Sequence, residues 1–249
     1  MTTSGNQFQR DDKLLEELYR KYARGGPRIS VWFQSFKFYS RKAVWVSLVQ
    51  GTVFFKRVID LFGSIFGLTL LFPILLLTAL AIKLQDRGSV FFVQERVGKR
   101  GKVFRMYKFR SMIIDADHKK DQLMAQNQAG EIIFKMKRDP RITKVGRIIR
   151  KLSIDELPQL FNVVKGDMSL VGPRPAVPRE VDQYSLSERR RLEVIPGITC
   201  LWQVKGRSEI DFEGQVSLDV QYVESQSFWG DVVILLKTIP AVLSGRGAY

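Results

Sequence analysis

The sequence predicts an α+β fold, mostly helical, in which a bent membrane segment and a short β-hairpin lead into a compact domain. Three observations carry this. Leu61 to Ile82 is a 22-residue stretch without a charge, and Pro73 lies near its middle. SVFFVQERVGKRGKVFRMYKFRSM holds two strand-like runs around a Gly-rich turn. Beyond Arg138, helical apolar patterns alternate with proline and glycine turns. A chain of 249 residues has room to bury a core. Three regions follow: an N-terminal extension over 1–52, a membrane segment over 53–85 and a compact domain over 86–249.

The extension begins with ten polar residues whose composition favours disorder. Asp11 to Tyr22 places Leu14, Leu15 and Leu18 on one side of a short helix, before the breaker Gly25-Gly26-Pro27. From Val31 to Phe55, aromatic residues alternate loosely with lysine and arginine, a mix suited to a membrane interface or to a packing helix.

As one helix, the uncharged stretch is long enough to cross a bilayer core of about 30 Å. Two features favour a re-entrant hairpin instead. Pro73 removes a backbone hydrogen bond and favours a kink. Basic residues lie on both flanks, with Arg41, Lys42, Lys56 and Arg57 before the stretch and Lys83, Arg87, Arg96, Lys99, Arg100 and Lys102 after it. Both flanks therefore ask for the cytoplasmic side. Strands are expected at Ser89–Glu95 and Lys102–Phe109. Helices are expected near Val145–Arg150, Ile154–Val164, Ser187–Arg191, Phe212–Ser225 and Phe228–Leu243. The last of these is apolar and interrupted by Pro240, so it should lie on the bilayer or pack on the core.

Composition narrows the function. The formal charge of +15 asks for an acidic partner. The basic residues are spread along the chain with no finger, basic zipper or RNA-binding signature, so an anionic membrane and phosphorylated substrates fit better than nucleic acid. One cysteine, Cys200, excludes an intrachain disulfide and reads as a small semi-buried residue. One histidine, His118, excludes multi-histidine metal sites and weakens any serine triad. The chemistry must use carboxylates, hydroxyls or cations.

Those groups concentrate in KLSIDELPQLFNVVKGDMSLVGPRP, Lys151 to Pro175. Ser153 and Glu156 have the S-x-x-E spacing of a capping box. Asp155 is not needed for a cap, and a first-turn carboxylate beside free N–H groups also suits phosphate handling. Arg147, Arg150, Lys151 and Lys165 surround the pair, and Arg174 is held between two prolines, as suits bidentate phosphate recognition.

This run, together with PGIT, WQVKGR and LDVQYV, resembles the bacterial sugar transferase family. Its members are polyprenyl-phosphate hexose-1-phosphate transferases of the membrane, also called monotopic phosphoglycosyl transferases. The resemblance covers Lys56 to Tyr249 and implies a re-entrant membrane helix bent at Pro73. It also implies transfer of a sugar-1-phosphate from a UDP-sugar to undecaprenyl phosphate, with release of UMP, at the cytoplasmic face of the bacterial inner membrane. By resemblance, Asp155 is the nucleophile, Glu156 holds Mg²⁺, and Lys108 of YKFRSM, Arg150, Arg174 and Arg207 meet the phosphates or sugar. Arg57 and Asp60 either pair with each other at the interface or place the polyprenyl phosphate. One departure is Phe72, where many members carry serine; Thr69 is then expected to satisfy the carbonyl that Pro73 frees. The segment Asp115-Ala-Asp117 and the terminal Gly247-Ala248-Tyr249 look like members that start exopolysaccharide or capsule synthesis with glucose-1-phosphate or galactose-1-phosphate. Larger relatives carry a long N-terminal membrane domain, which is not expected here. A second copy of the chain and downstream glycosyltransferases stay open as further partners.

Two other readings compete. Asp115-Ala-Asp117 has the D-x-D spacing of metal-dependent glycosyltransferases, although no Gly-rich nucleotide-binding unit precedes it and surface aspartates explain it as well. A basic membrane scaffold without catalysis would also fit the charge.

Overall fold

A computed structural model describes residues 51, 53–116, 139–206 and 210–244, and from Phe54 onward these belong to one compact unit. The helix expected at Asp11–Tyr22, most of the Val31–Phe55 stretch, Asp117, His118 and Arg207 lie outside the described residues.

Helices α1 (Val53–Leu70) and α2 (Phe72–Asp86) cover the segment expected to enter the membrane. No single described helix is long and apolar enough to cross a membrane, whereas the two together are, and they are bent by 61°. The break falls at Leu71, and Pro73 sits in the first turn of α2, where a missing N–H costs little. The bend therefore lies just ahead of the proline rather than at it. Thr69 does not serve the carbonyl freed by Pro73; its hydroxyl donates to Ile65 O at 2.9 Å. Phe66 is 68% exposed and Leu84 74%, so the pair shows an apolar surface well beyond scattered exposed residues.

Both ends of this pair are fastened to the rest of the unit. At the α1 end, Arg57 donates to Val163 O and Val164 O, and Lys56 donates to Val171 O at 3.1 Å and pairs with Asp231. The Asp60 carboxylate accepts from Leu170 N at 3.0 Å. Arg57 and Asp60 thus bind the backbone of the domain and not each other. At the α2 end, Asp86 pairs with Arg110, and Gln85 accepts from Val145 N at 3.1 Å.

Strands β1 (Phe91–Val97) and β2 (Val103–Phe109) form the expected antiparallel hairpin, with Phe91 opposite Phe109 and Val97 opposite Val103. Its turn has left-handed backbone at Arg100 and Gly101. Inward-facing Phe104 and Met106 pack on Val163 and Met168. The outer edge of β2 is closed by a side chain in place of a strand: Tyr107 N donates to the Asn162 carbonyl at 3.0 Å, and Asn162 Nδ2 donates to Arg105 O at 2.7 Å.

The helical part begins with α3 (Lys144–Lys151), capped by Thr143, which accepts from Gly146 N. The single helix expected over Ile154–Val164 is instead a 3-10 turn, Ile154–Glu156, followed by α4 (Gln159–Lys165). Pro158 has no N–H to continue the ladder, so the two pieces separate there. Strand β3 (Ser169–Val171) pairs in parallel with β4 (Gly197–Thr199), a ladder that the sequence pattern does not predict. Gly197 makes that pairing feasible, since a Cβ there would lie 2.0 Å from Gly172 N. Short helices α5 (Pro178–Asp182), α6 (Leu186–Arg189) and α7 (Leu201–Lys205) follow, then α8 (Phe212–Ser225) and α9 (Phe228–Ser244). The last keeps Pro240 inside it and packs Ile234 against Val171 and Tyr222.

Candidate active site

The chain leaves α3 through Ser153, a non-glycine residue in left-handed backbone with φ 53°. That conformation aims the next three residues, and it also removes the predicted capping box. The Ser153 side chain caps nothing, and the Glu156 carboxylate pairs instead with Lys108 Nζ at 2.7 Å. Lys108 comes from the end of β2, so the hairpin and the 154–156 turn meet through this ion pair.

Asp155 is only 9% exposed, while its neighbour Glu156 lines an open cleft. Burial lifts the Asp155 carboxyl to about 6, against the pull of Lys108 and Arg150, with Glu156 pushing the same way as burial. Two adjacent carboxylates therefore differ: one is paired at the cleft wall and one is shielded behind it. The positive groups that offset Asp155 are the Lys108 and Arg150 side chains, rather than the end of a long helix.

The cleft spans about 240 Å³, part of it open to solvent. Lys108, Glu156 and Gln159 form one side, Arg96, Arg174 and Gln203 contribute further polar groups, and Met106 and Ile198 are apolar. Arg174 is exposed, with its guanidinium 5.9 Å from the centre of the Trp202 ring. Arg150 is half-buried, whereas Arg147 and Lys151 are exposed, and Lys165 turns to the Tyr107 ring.

Four cleft or subjacent groups are not singled out by the sequence. Arg96 donates to Pro175 O at 3.0 Å and to Gln94 at 2.6 Å, which ties β1 to the GPRP turn. Burial first, and then Arg174, lowers it to about 10. Gln159 and Gln203 carry no signal, being single amides in apolar surroundings. The fourth is a buried ion pair of Arg191 with Asp219, the aspartate of LDVQYV. Here a signal exists, since Val216, Asp219 and Tyr222 share the buried stripe of α8 and a carboxylate in that stripe needs a partner. Cys200 is fully enclosed and burial pushes its thiol well up, so it is unreactive.

Among the described residues no group of three or more His, Cys, Asp or Glu is arranged for a metal. Mg²⁺ needs fewer, because it commonly takes one or two carboxylates plus substrate phosphates and water. Glu156 at the cleft wall with Asp155 beside it fits that sparse donor set. Asp115 is exposed, and its D-x-D partner lies outside the described residues.

Comparison with known proteins places these features in a family. The model of the family described as "Bacterial sugar transferase" matches residues 51–245. "Galactosyl transferase CpsE" of Streptococcus agalactiae serotype III is 49% identical over 194 residues, which is 78% of this chain and 43% of that protein. "Undecaprenyl-phosphate galactose phosphotransferase" of Salmonella typhimurium is 44% identical over 200 residues, 79% of this chain and 42% of that protein. "Exopolysaccharide production protein ExoY" of Rhizobium meliloti is 40% identical over 198 residues, 78% of this chain and 88% of that protein. The chain thus spans less than half the length of the first two relatives and most of the third. With the family model matched from just before α1 to the end of α9, this chain belongs to the bacterial sugar transferase family.

Proposed function

We propose that this chain is a phosphoglycosyl transferase that moves a hexose-1-phosphate from a UDP-sugar to undecaprenyl phosphate and releases UMP. The product would be the first membrane-bound intermediate of exopolysaccharide, capsule or O-antigen synthesis. The observation that carries the reading is the shielded Asp155 beside the Glu156–Lys108 pair, in a cleft supplied with Arg96 and Arg174. The names of the Salmonella and Rhizobium relatives point the same way.

The chemistry follows from charge. At neutral pH a carboxyl titrating at about 6 is mostly ionised, so Asp155 needs no general base. Its oxygen attacks the phosphorus that bears the sugar, the bond to the bridging oxygen breaks, and UMP leaves. An oxygen of undecaprenyl phosphate then attacks the phosphosugar-aspartate, which frees Asp155 and leaves a diphosphate-linked sugar. Both steps depend on positioning and neutralisation of phosphate charge, the work of Lys108, Arg150, Arg174 and, in the KGR turn, Arg207. Glu156 would hold Mg²⁺, which when bound neutralises phosphate charge. Since Arg57 and Asp60 are engaged with the domain backbone, they hold the membrane arm on the domain at the place where the lipid acceptor would arrive.

Product analysis tests this reading. With UDP-glucose or UDP-galactose and undecaprenyl phosphate, the full chain is expected to release UMP. Release of UDP would mean ordinary glycosyl transfer and would overturn the proposal.

The membrane segment is read as re-entrant, with the domain on the cytoplasmic face. Support comes from its two ends: Lys56 and Arg57 on one side, and Gln85 and Asp86 on the other, all dock on the same folded unit. A spanning helix would carry those ends about 30 Å apart on opposite faces. Cysteines introduced as Gln50→Cys and Ser89→Cys should both be labelled from the cytoplasmic side, with little background from buried Cys200. Labelling from opposite sides would refute the hairpin.

A further inference from the structure

Gln159 is the first residue of α4, directly after Pro158, and it follows Glu156 by three positions. It is 3% exposed, yet it lines the same cleft as Lys108, Glu156 and Arg174. Its side-chain amide carries two N–H donors and one carbonyl acceptor. Among the described residues it has no hydrogen-bond partner. Neighbouring buried amides are treated differently: Asn162, one turn on, both accepts from Tyr107 N and donates to Arg105 O. Most buried side-chain polar atoms are satisfied in this way. The Gln159 amide is not among the described buried atoms left without a partner, so it still meets solvent in the cleft that it lines. It is thus a polar group that faces the cleft with its donors and acceptor open to a ligand.

We propose that the Gln159 amide is a hydrogen-bond donor to the diphosphate oxygens of the nucleotide-sugar donor, close to Asp155. This rests on the reading of the cleft as the UDP-sugar site. A neutral donor suits the position on electrostatic grounds. Lys108 is already engaged with Glu156, and Arg96 and Arg174 repel one another across the cleft. A further cation would add to that repulsion in the empty site. An amide offers its N–H to a phosphate oxygen without doing so.

The test uses the full chain with Gln159→Met, which keeps length and volume and removes both donors and the acceptor, and with Gln159→Asn, which keeps the amide one methylene short. In Gln159→Met, UDP binding should weaken by about tenfold or more, as for loss of a hydrogen bond to a charged group. UMP release should fall about 10²-fold in kcat, as for loss of an oxyanion donor. The unfolding midpoint should stay level, which a structural role would not produce. Gln159→Asn should fold as the wild type does and retain more activity than Gln159→Met. UDP binding and kcat within about threefold of wild type in Gln159→Met would overturn the proposal, and so would a drop in stability that tracks the loss of activity in both variants. If the wild type binds UDP but releases no UMP, the transferase reading fails while the binding comparison still decides the role of Gln159. If the wild type binds no UDP, both fall.

Discussion

Asp155→Asn is expected to release no measurable UMP and to form no phosphosugar adduct, while unfolding at a higher temperature than the wild type at neutral pH. The two effects have one cause. The carboxyl titrates at about 6 in the folded protein, against 3.8 for an aspartate in water. Between those values the native state holds the proton more often than the unfolded state does, so its extra stability is present in acid and is lost as pH rises through about 6. By neutral pH, ionising Asp155 costs the fold stability, because the buried carboxyl gives up its proton less readily than the unfolded one does. An amide of the same shape removes that charge and with it the nucleophile. Turnover should fall by at least about 10³-fold, the scale expected when a covalent nucleophile is lost. In the wild type, kcat/KM should decline in acid with a midpoint at about 6 as Asp155 takes up its proton. UMP release at the wild-type rate by Asp155→Asn would remove Asp155 from the chemistry. A variant that lost stability and activity together would make it a structural residue.

The parts of the fold that could be read from the chain are those with long local patterns. The apolar pattern over Phe212–Ser225 matches α8, which the structure shows capped by Asp211, and the two strand-like runs around the Gly-rich turn match the hairpin. Five-residue helices such as α5 and α7 are too short for periodicity to reveal. The β3–β4 ladder joins Ser169 to Gly197 across a connection that contains α5 and α6, so no local pattern announces it. Ser153 illustrates a different limit: its S-x-x-E spacing favours a cap, but its backbone is left-handed and Glu156 pairs with Lys108 of the distant β2 instead. The site is legible where residue type and order carry it, as with the adjacent carboxylates and Arg174 in GPRP. Arg96 and Gln159 are not, because nothing local separates a cleft residue from an ordinary basic or polar one. Their significance arises only when β1, α4 and the GPRP turn come together. Arg57 and Asp60 have the i, i+3 spacing of a local pair, yet long-range backbone partners hold them.

Arg191→Met is expected to be the most destabilising single substitution in the helical part of the domain, at about 3–5 kcal/mol in urea unfolding above neutral pH. Asp219 is 0% exposed and faces Arg191 in a close ion pair, while the guanidinium also donates to Tyr184 Oη at 3.2 Å and stacks over that ring. The second oxygen of Asp219 has no partner among the described residues, so the arginine is its main compensation. Burial already holds Asp219 at about 6 in spite of Arg191. Without that cation its folded-state value must climb further. The variant then binds a proton in the native state that the unfolded chain, at 3.8, gives up, and its stability falls as pH rises through that window. The loss should therefore be smaller at about pH 5 than at about pH 8. Replacing both partners, as Arg191→Met with Asp219→Leu, should recover most of it, because an apolar pair leaves no buried charge. A loss below about 1 kcal/mol at about pH 8, or one that does not change with pH, would mean that Asp219 finds another partner and that this pair does not fasten α8 to the rest of the domain.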